Sequence, residues 1–532
     1  MAVPLQPQTD CAVKKFKGFK GFKGFKGFKK FKGFKKFKGF KKFKKFKKFN
    51  MIRKIVFTGV LALTSICATA QETKDKGVDA VTGASPQKEA GAKAKSDRWK
   101  NALSRLSIGG YGEAVATGNF YSQSFNRYKK PENYVNDKAH GRFDLPHICL
   151  NIGYNFGKGW TMGTEIEFEH GGTGSAVEIE AEEAGEYEAE VEKGGEVNIE
   201  QFWINKAFLD GKINIKAGEI IVPVGYSNAY HEPNQFFTVY RPEGEATMMP
   251  NTWHQVGLSL WGRVKDWRYE AQLLSGLNSE SFTAEGFVHY GATSPYEFKV
   301  ANNLAGAARI DNYSIKGLRI GLSGYYGYSF RNTLRTPGSQ YEDVTGALGI
   351  VALDFTLKRW NWIVRGSIDY AHLSDADAIS AYNQANWTHH KYQDGNPHHY
   401  TNIGSSAWAY AIEAGYDVLS LIPSHARSKR TLDPSRKDEG RSKLFVFGRF
   451  EHYNTIATGT YTSMYKYTKR YRCVAGLNYS PIKQITIKAE YSYRFFERPN
   501  NNGLTSDSPL YKQPYNNEPS ISLGVTYTGW FL

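Results

Sequence analysis

The chain has 532 residues and a formal net charge of +18, a balance that by itself would indicate an acidic partner such as nucleic acid. The charge is concentrated in residues 1–50, which hold eighteen Lys and a single acid, Asp10. Because the remaining residues are nearly neutral, the composition excludes nucleic acid as a partner of the main part of the chain.

Residues 1–50 form a low-complexity segment in which Phe recurs at every third position from Lys15 to Phe49, with Lys or Gly between. A helix needs an apolar period of about 3.6 and a strand a period of about 2, so the repeat predicts neither element. We interpret the segment as a mis-assigned extension upstream of the true start of translation. A cationic membrane-active peptide is the alternative interpretation.

Residues 51–70 have the pattern of a secretory signal peptide. Met51-Ile52-Arg53-Lys54 precedes an apolar run that ends at Cys67, and Ala68-Thr69-Ala70 predicts cleavage before Gln71. Two cysteines, Cys149 and Cys473, lie beyond that point. They fall on opposite faces of the predicted strands, so we expect them to stay unpaired.

Residues 71–104 are rich in Lys, Ala, Gly, Asp and Ser and have no apolar periodicity, which predicts a flexible periplasmic segment. From residue 105 to residue 532, short stretches alternate apolar and polar residues, as in 212–216, 318–322 and 485–491. Each stretch has one apolar face, which would meet a second sheet in a soluble protein or lipid in a membrane barrel. Sixteen candidate strands begin near residues 105, 140, 159, 198, 212, 252, 267, 301, 318, 344, 360, 405, 442, 469, 484 and 518.

The lengths of the connections distinguish these two architectures. Short links such as 157–159 and 265–266 alternate with long ones such as 170–197 and 372–404, except at 420–441, a Lys/Arg-rich insertion that the pattern does not explain. An even strand number, short periplasmic turns and long outer loops are typical of outer-membrane barrels. The fold class predicted is therefore all-β, a transmembrane antiparallel β-barrel of about 16 strands in the outer membrane of a Gram-negative bacterium.

Residues 217–262 resemble the phosphate-selective porin O and P family. The similar residues are Ala217-Gly218-Glu219, Val222-Pro223-Val224-Gly225, His231-Glu232-Pro233-Asn234-Gln235-Phe236-Phe237, Arg241-Pro242, Met249-Pro250-Asn251-Thr252-Trp253 and Gly257-Leu258-Ser259-Leu260-Trp261-Gly262. The resemblance implies a homotrimer of sixteen-stranded barrels, each with its third outer loop, here 220–251, folded into the pore. It places the pore constriction at His231, Glu232, Arg241, Glu243 and Glu245. Phosphate-specific members carry series of Arg and Lys along the pore, whereas residues 220–254 offer Arg241 alone, which puts phosphate in doubt.

Strand alternation assigns charged side chains to the lumen. The basic ones are Lys212, Lys216, Arg268, Arg309, Arg319, Arg365, Arg449, Arg470, Arg472, Lys488 and Arg494, and the acidic ones are Glu165, Glu167, Glu270, Asp311, Asp369, Glu451 and Glu490. Because eleven basic groups face the lumen against seven acidic groups, the pore should favour anions weakly. The alternative is that these groups pair with one another across strands and leave a pore that selects mainly by size.

The sequence thus predicts a porin for passive diffusion of small hydrophilic solutes, weakly anion-selective, with phosphate as one candidate. It predicts no cofactor, no metal site and no enzymatic activity, because no catalytic motif occurs. The expected partners are outer-membrane lipid and the barrel-assembly machinery, which reads an aromatic C-terminal strand like Tyr527–Leu532. The rival hypothesis is a non-conducting barrel that acts as an adhesin through loops 170–197 and 372–404.

Two loops carry further alternatives. The second outer loop alternates Glu with apolar residues over 178–192, which predicts a solvated hairpin or, alternatively, a collector of divalent cations. The sixth holds His389-His390 and His398-His399, which are either ordinary surface residues or a transition-metal site.

Overall fold

The computed structural model describes residues 101–532 except 123–124, 129–132, 135, 138–139, 173–177, 181–189, 193–196, 295–297, 335, 387–401, 424–440 and 498–515. The predictions for residues 1–50, 51–70 and most of 71–104 lie outside the described residues, as do those for the four loop histidines and most of 420–441. Residues 101–103, at the end of the segment 71–104, are helical.

Sixteen strands form one closed antiparallel sheet, each paired with its neighbours in sequence. The last strand closes on the first, with Gly109 opposite Trp530 and Asn119 opposite Ser520. This confirms the predicted sixteen-stranded barrel. The strands are β1 Leu106–Asn119, β2 His147–Gly157, β3 Trp160–Glu169, β4 Val197–Phe208, β5 Ile213–Ile221, β6 His254–Val264, β7 Trp267–Ser275, β8 Leu304–Asn312, β9 Leu318–Tyr328, β10 Ala347–Arg359, β11 Trp362–Leu373, β12 Ser406–Asp417, β13 Lys443–Thr458, β14 Lys469–Ile482, β15 Ile485–Phe496 and β16 Asn517–Trp530.

All but one of these strands begin within three residues of the predicted position. The second was predicted near residue 140, where a short strand, His140–Asp144, pairs with the far end of β1 before β2 begins at His147. Leu145-Pro146 separates the two pieces, because proline has no backbone N–H to donate to the ladder.

The outer face of the barrel is apolar and the inner face is polar. In β6, Val256, Leu258 and Leu260 each expose roughly half of their surface, whereas the alternate residues Gln255 and Ser259 are buried. The apolar face has no protein partner and fits the lipid of a membrane, so the chain is an outer-membrane β-barrel. Exposed tryptophans lie near the short-turn end of the barrel, as is typical of residues at a membrane interface: Trp160, Trp267, Trp360, Trp362 and Trp530.

The connections alternate in length as predicted. The turn between β2 and β3 is formed by Gly157, Lys158 and Gly159, whose φ angles of 88°, 54° and 78° are all left-handed and favour glycine. In the second long connection Glu178–Glu180 pairs antiparallel with Glu190–Glu192, which confirms the hairpin. Cys149 is buried, Cys473 is exposed, and both are free, as expected.

The third long connection, residues 222–253, is called L3 below. It contains two short helices, α1 (Tyr226–Ala229) and α2 (Glu243–Met248), and lies between β5 and β6. The longest helix among the described residues is α3 (Ala376–Asn386) in the sixth long connection. Among those residues, no helix is long and apolar enough to cross a membrane.

Candidate functional site

L3 is held against the polar face of the barrel by one lysine of β15. The Lys488 Nζ donates hydrogen bonds to the backbone oxygens of Pro233, Phe236 and Thr238 at 2.7, 3.2 and 2.8 Å. Far along the sheet, in β8, the Arg309 Nη1 donates to the Gly225 oxygen at 3.1 Å. L3 therefore contacts the inward-facing residues of strands that are well separated in the sheet.

Carboxylates of the barrel bind the other side of the L3 backbone. The Val239 N–H donates to Glu490 at 2.7 Å, and the Gly244 N–H donates to Glu451 at 2.9 Å. A glycine in β12 makes room for an aromatic ring of L3, because a Cβ added at Gly415 would lie 2.5 Å from the Phe237 ring.

The two ends of L3 are anchored by apolar packing. Val222, Val224, Met248, Met249 and Trp253 are fully buried in one cluster. That cluster also includes inward-facing residues of the barrel and residues of the fourth and sixth long connections: Ala305, Leu348, Ile350, Leu277, Phe282, Phe287 and Ile379. Burial of this kind fixes the ends of the loop while the segment between them is fixed by hydrogen bonds.

The polar face of β7–β15, called the paired wall below, is a network of opposite charges. Arg309 and Arg319 lie within 3.0 Å of both Asp311 and Asp354. The remaining contacts repeat this pattern on neighbouring strands: Arg268 with Glu270, Lys216 with Glu270, Arg365 with Glu413, Arg449 with Glu413 and Glu451, and Arg472 with Glu451 and Glu490. Cross-strand neighbours of opposite charge stabilise a sheet, and this pairing is the alternative that strand alternation left open.

The paired wall continues into L3 through one glutamate of α2. Glu243 accepts from the Arg494 Nε and Nη2 at 2.7 and 2.8 Å, lies 3.4 Å from the Arg472 Nε, and accepts a hydrogen bond from Tyr453. Burial raises the pKa of Glu243, but the guanidinium groups of Arg494 and Arg472 outweigh it and bring the pKa to about 2. Glu243 is therefore a carboxylate at any physiological pH.

The polar face of β1–β4 differs in composition and is called the acidic wall below. Glu113, Glu165, Glu167 and Glu200 are all buried there, together with Tyr111 and Cys149. The Glu167 carboxylate accepts from His147 at 2.5 Å, and the Cys149 Sγ lies 3.6 Å from Glu167 and 4.0 Å from Glu200.

L3 faces the acidic wall with His231 and Arg241. The His231 Nε2 lies 3.8 Å from the Glu165 Oε1. Arg241 donates to Thr252 within L3, and its charge interacts with Glu200, Glu167 and Glu113. Arg241 thus acts on three of the four carboxyl groups, and Lys488 acts on Glu113, so acidic groups outnumber the Lys and Arg side chains that face them in this wall.

Two cavities lie along the acidic wall and share no residue. The outer cavity, about 500 Å³, is lined near the long-loop end by Glu113, His147, Arg241, Glu243, Arg494 and others. The turn-side cavity, about 770 Å³, is lined by Glu165, Trp203, His231, Glu232 and others. Tyr111 and Cys149 lie between them, because each occupies the inward position of its strand between residues of the two linings.

The structure brings most of the predicted site residues together. Of the five predicted constriction residues, Arg241 and Glu243 line the outer cavity, while His231 and Glu232 line the turn-side cavity. Glu245 lines neither, because it accepts hydrogen bonds from the backbone of Tyr226 and Ser227 within L3. Lys212 is exposed in the turn before β5. The other predicted lining bases lie on the polar face, where they pair with carboxylates or, as Lys488 does, bind L3.

The sequence analysis missed five acidic residues of this face: Glu113, Glu200, Asp354, Glu413 and Glu518. Glu200 lies at a β-bulge, where the register between β3 and β4 shifts and two successive residues, Glu200 and Gln201, point inward. A strict inward–outward alternation along β4 assigns only one of these two residues to the polar face. The other four have inward positions in their strands, so a complete count of the alternation would have found them.

No protein-family model matches the chain. An uncharacterized protein of Aquifex aeolicus (strain VF5) is 25% identical over 406 residues, which cover 73% of this chain and 75% of that protein. The phosphate-selective porin O and P family therefore stays a prediction.

Several solved structures are similar in outline. The anion-selective porin from Comamonas acidovorans matches 80% of this chain and 99% of its own, with 8% identity and a TM-score of 0.42. The outer membrane channel DcaP of Acinetobacter baumannii matches 80% and 97%, with 11% identity and a TM-score of 0.43. OprB of Pseudomonas putida matches 82% and 97%, with 10% identity and a TM-score of 0.44. Similarities at this level carry no argument about solute or assembly, and the barrel is established by its own strand pairing.

Proposed function

We propose that this chain is an outer-membrane porin through which small hydrophilic solutes diffuse passively. The observation that carries the proposal is the closed barrel whose polar face encloses two cavities beside L3, one toward each end. In this proposal L3 forms the constriction, and solutes pass between L3 and the acidic wall. No catalytic step and no cofactor is required.

The proposed selectivity is a weak preference for anions. Four arginines, Arg142, Arg241, Arg472 and Arg494, line the outer cavity against three glutamates, Glu113, Glu243 and Glu518. Because Glu243 and Glu518 pair with these arginines, the positive potential is largely cancelled. Phosphate is proposed as a candidate solute on the resemblance of residues 217–262 alone. A homotrimer rests on the same resemblance, and folding by the barrel-assembly machinery on the aromatic C-terminal strand.

Single-channel recording of the full chain in a planar bilayer under a salt gradient tests the proposal. Stepwise currents with a reversal potential slightly on the anion side are expected. A deletion of residues 176–196, in the acidic hairpin, should leave the currents in place, because the hairpin is not part of the barrel sheet. A folded barrel that never conducts would overturn the porin proposal and favour an adhesin.

A further inference from the structure

Three potential metal ligands converge where L3 meets the acidic wall. The donor atoms of Glu165 in β3, Glu200 in β4 and His231 in L3 all lie within 4.8 Å of one another. A second group shares Glu200 and adds Cys149 and Glu167. Groups of this kind occur by chance in acidic loops, but these residues are inward-facing and largely buried.

Two polar side chains at this point have unmet bonding capacity. Tyr111 and Glu165 each expose 3% of their surface. The Tyr111 phenol and the Glu165 Oε1 have no partner at hydrogen-bond distance among the described residues; the phenol interacts with the Cys149 thiol, and the Oε1 lies 3.8 Å from the His231 Nε2. The Tyr111 and His231 rings have an edge-to-face arrangement with centroids 6.0 Å apart, so the phenol belongs to the same cluster. A buried polar atom without a partner is destabilising, so an ion bound to the Glu165 Oε1 would stabilise the site.

The charge balance points to a cation. Glu113, Glu165, Glu167 and Glu200 contribute four carboxyl groups to the acidic wall, where Arg241 acts on Glu113, Glu167 and Glu200 and Lys488 acts on Glu113. Buried charges are stable when they are paired or when they coordinate a metal ion. One divalent cation would offset most of the excess negative charge in the acidic wall.

We propose that Glu165, Glu200 and His231 bind one divalent transition-metal ion of the zinc class. One imidazole nitrogen and two carboxylate oxygens are ligands that zinc accepts, with water in the fourth position. A tetrahedral ion would hold these atoms about 3.4 Å apart, so the ligands must move inward by about 1 Å. Glu165 and His231 line the turn-side cavity, which gives the ion a route to the site.

The ion would join L3 to the barrel, because His231 belongs to L3 and the two glutamates to the strands. The site lies beside the residues that separate the two cavities. Zinc would therefore narrow the passage between L3 and the acidic wall and lower the conductance. Metal binding itself does not depend on the proposed porin function, since it can be measured in a barrel that never conducts.

Isothermal titration of zinc chloride into the metal-stripped full chain, with the bound metal counted, tests the proposal. The four loop histidines, His389, His390, His398 and His399, are changed to alanine throughout to remove a competing site. One equivalent per chain is expected, with affinity at least tenfold weaker in both Glu165→Gln and His231→Ala. The matched controls Glu497→Gln and His372→Ala change exposed residues and should bind as the parent does.

Equal zinc affinity in the parent and in the folded Glu165→Gln and His231→Ala variants would overturn the proposal. X-ray absorption of the zinc-loaded parent tests the ligands without any variant of the site. A shell of nitrogen and oxygen with one imidazole is expected. A sulfur ligand would assign the ion to Cys149 and refute the proposed set.

Discussion

The paired wall and the acidic wall are built by the same strand alternation, yet they differ in how charge is balanced. In the paired wall nearly every arginine lies close to a carboxylate on its own strand or on a neighbouring one, as Arg449 does with Glu451 on β13 and Glu413 on β12. In the acidic wall the carboxyl groups face Arg241 and His231 of L3, and His147 of β2 donates directly to Glu167.

Because of this difference we expect the paired wall to support L3 and the acidic wall to influence ion selectivity. A balanced network contributes little net potential to the lumen and instead fixes L3, whose backbone it binds directly. An unbalanced wall keeps a potential, and that potential acts on whatever passes beside it. We therefore expect substitutions in the paired wall to change mainly stability, and substitutions facing the acidic wall to change mainly ion selectivity.

Lys488→Met should have the largest effect on the free energy of unfolding. The substitution leaves three L3 carbonyls without their donor and should destabilise the protein by about 3–5 kcal/mol. Urea unfolding of the folded barrel, followed by tryptophan fluorescence, measures it. Lys212→Met is the matched control, since Lys212 is exposed, and should stay within about 0.5 kcal/mol. Similar losses in both variants would contradict the role assigned to Lys488.

Glu243→Gln tests the link between L3 and the paired wall through pH. A carboxyl group whose pKa falls from 4.5 to about 2 on folding contributes about 3 kcal/mol, in full above pH 4.5. The stability difference between the parent and Glu243→Gln should therefore be constant above pH 4.5 and should shrink as the pH falls toward 2. Unfolding free energies at several pH values measure this difference.

The matched control for Glu243 is Glu497, whose ion pair with Lys469 is exposed. Glu497→Gln should cost less than about 1 kcal/mol at any pH. A difference between the parent and Glu243→Gln that stays constant down to pH 2 would rule out the depressed pKa of Glu243.

Much of the barrel could be predicted from the sequence, because a strand in a membrane barrel has an apolar face and a polar face at a fixed period of about two. That regularity gave the strand number, nearly all strand starts and the inward position of residues such as Arg309 and Lys488. The prediction is wrong where the two-residue alternation is interrupted, at the Glu200 bulge and at the Leu145-Pro146 break. Both depend on local backbone geometry that composition does not reveal.

The contacts of L3 could not be predicted from the sequence. Pairs such as Lys488 with Pro233 or Glu451 with Gly244 join residues more than two hundred positions apart, and they depend on how the loop crosses the polar face. For the same reason the different contacts of Glu243 and Glu245 could not be predicted, since nothing in the sequence indicates that Glu245 binds the backbone of α1.

Gly415→Ala should lower the free energy of unfolding, because the added methyl group would clash with L3. The added Cβ would lie 2.5 Å from the Phe237 ring, so the ring or the strand must shift, at a cost of about 1–3 kcal/mol. Urea unfolding measures the loss. In the matched control Gly448→Ala the nearest atom is 3.9 Å away, and stability should be unchanged or slightly higher. Equal stability in the two variants would show that Phe237 does not rest on β12.

Arg241→Ala should have a larger effect on ion selectivity than the other substitutions. Without its guanidinium group Glu113, Glu167 and Glu200 lose a cation that acts on them, so the reversal potential should move toward cations. A two- to fivefold change in the permeability ratio, about 0.4–1 kcal/mol, is expected from one partly screened charge. Recording with a chelator present keeps bound metal out of the comparison.

Arg263→Ala is the matched control for this last substitution, because Arg263 is exposed at the short-turn end and stacks on Tyr313. It should leave the reversal potential unchanged. An additional Glu200→Gln should return the Arg241→Ala channel part of the way toward anions, since it removes one of the unopposed carboxylates. If Arg241→Ala leaves the selectivity unaltered, ions do not pass between L3 and the acidic wall, and the path through the barrel must follow another side of L3.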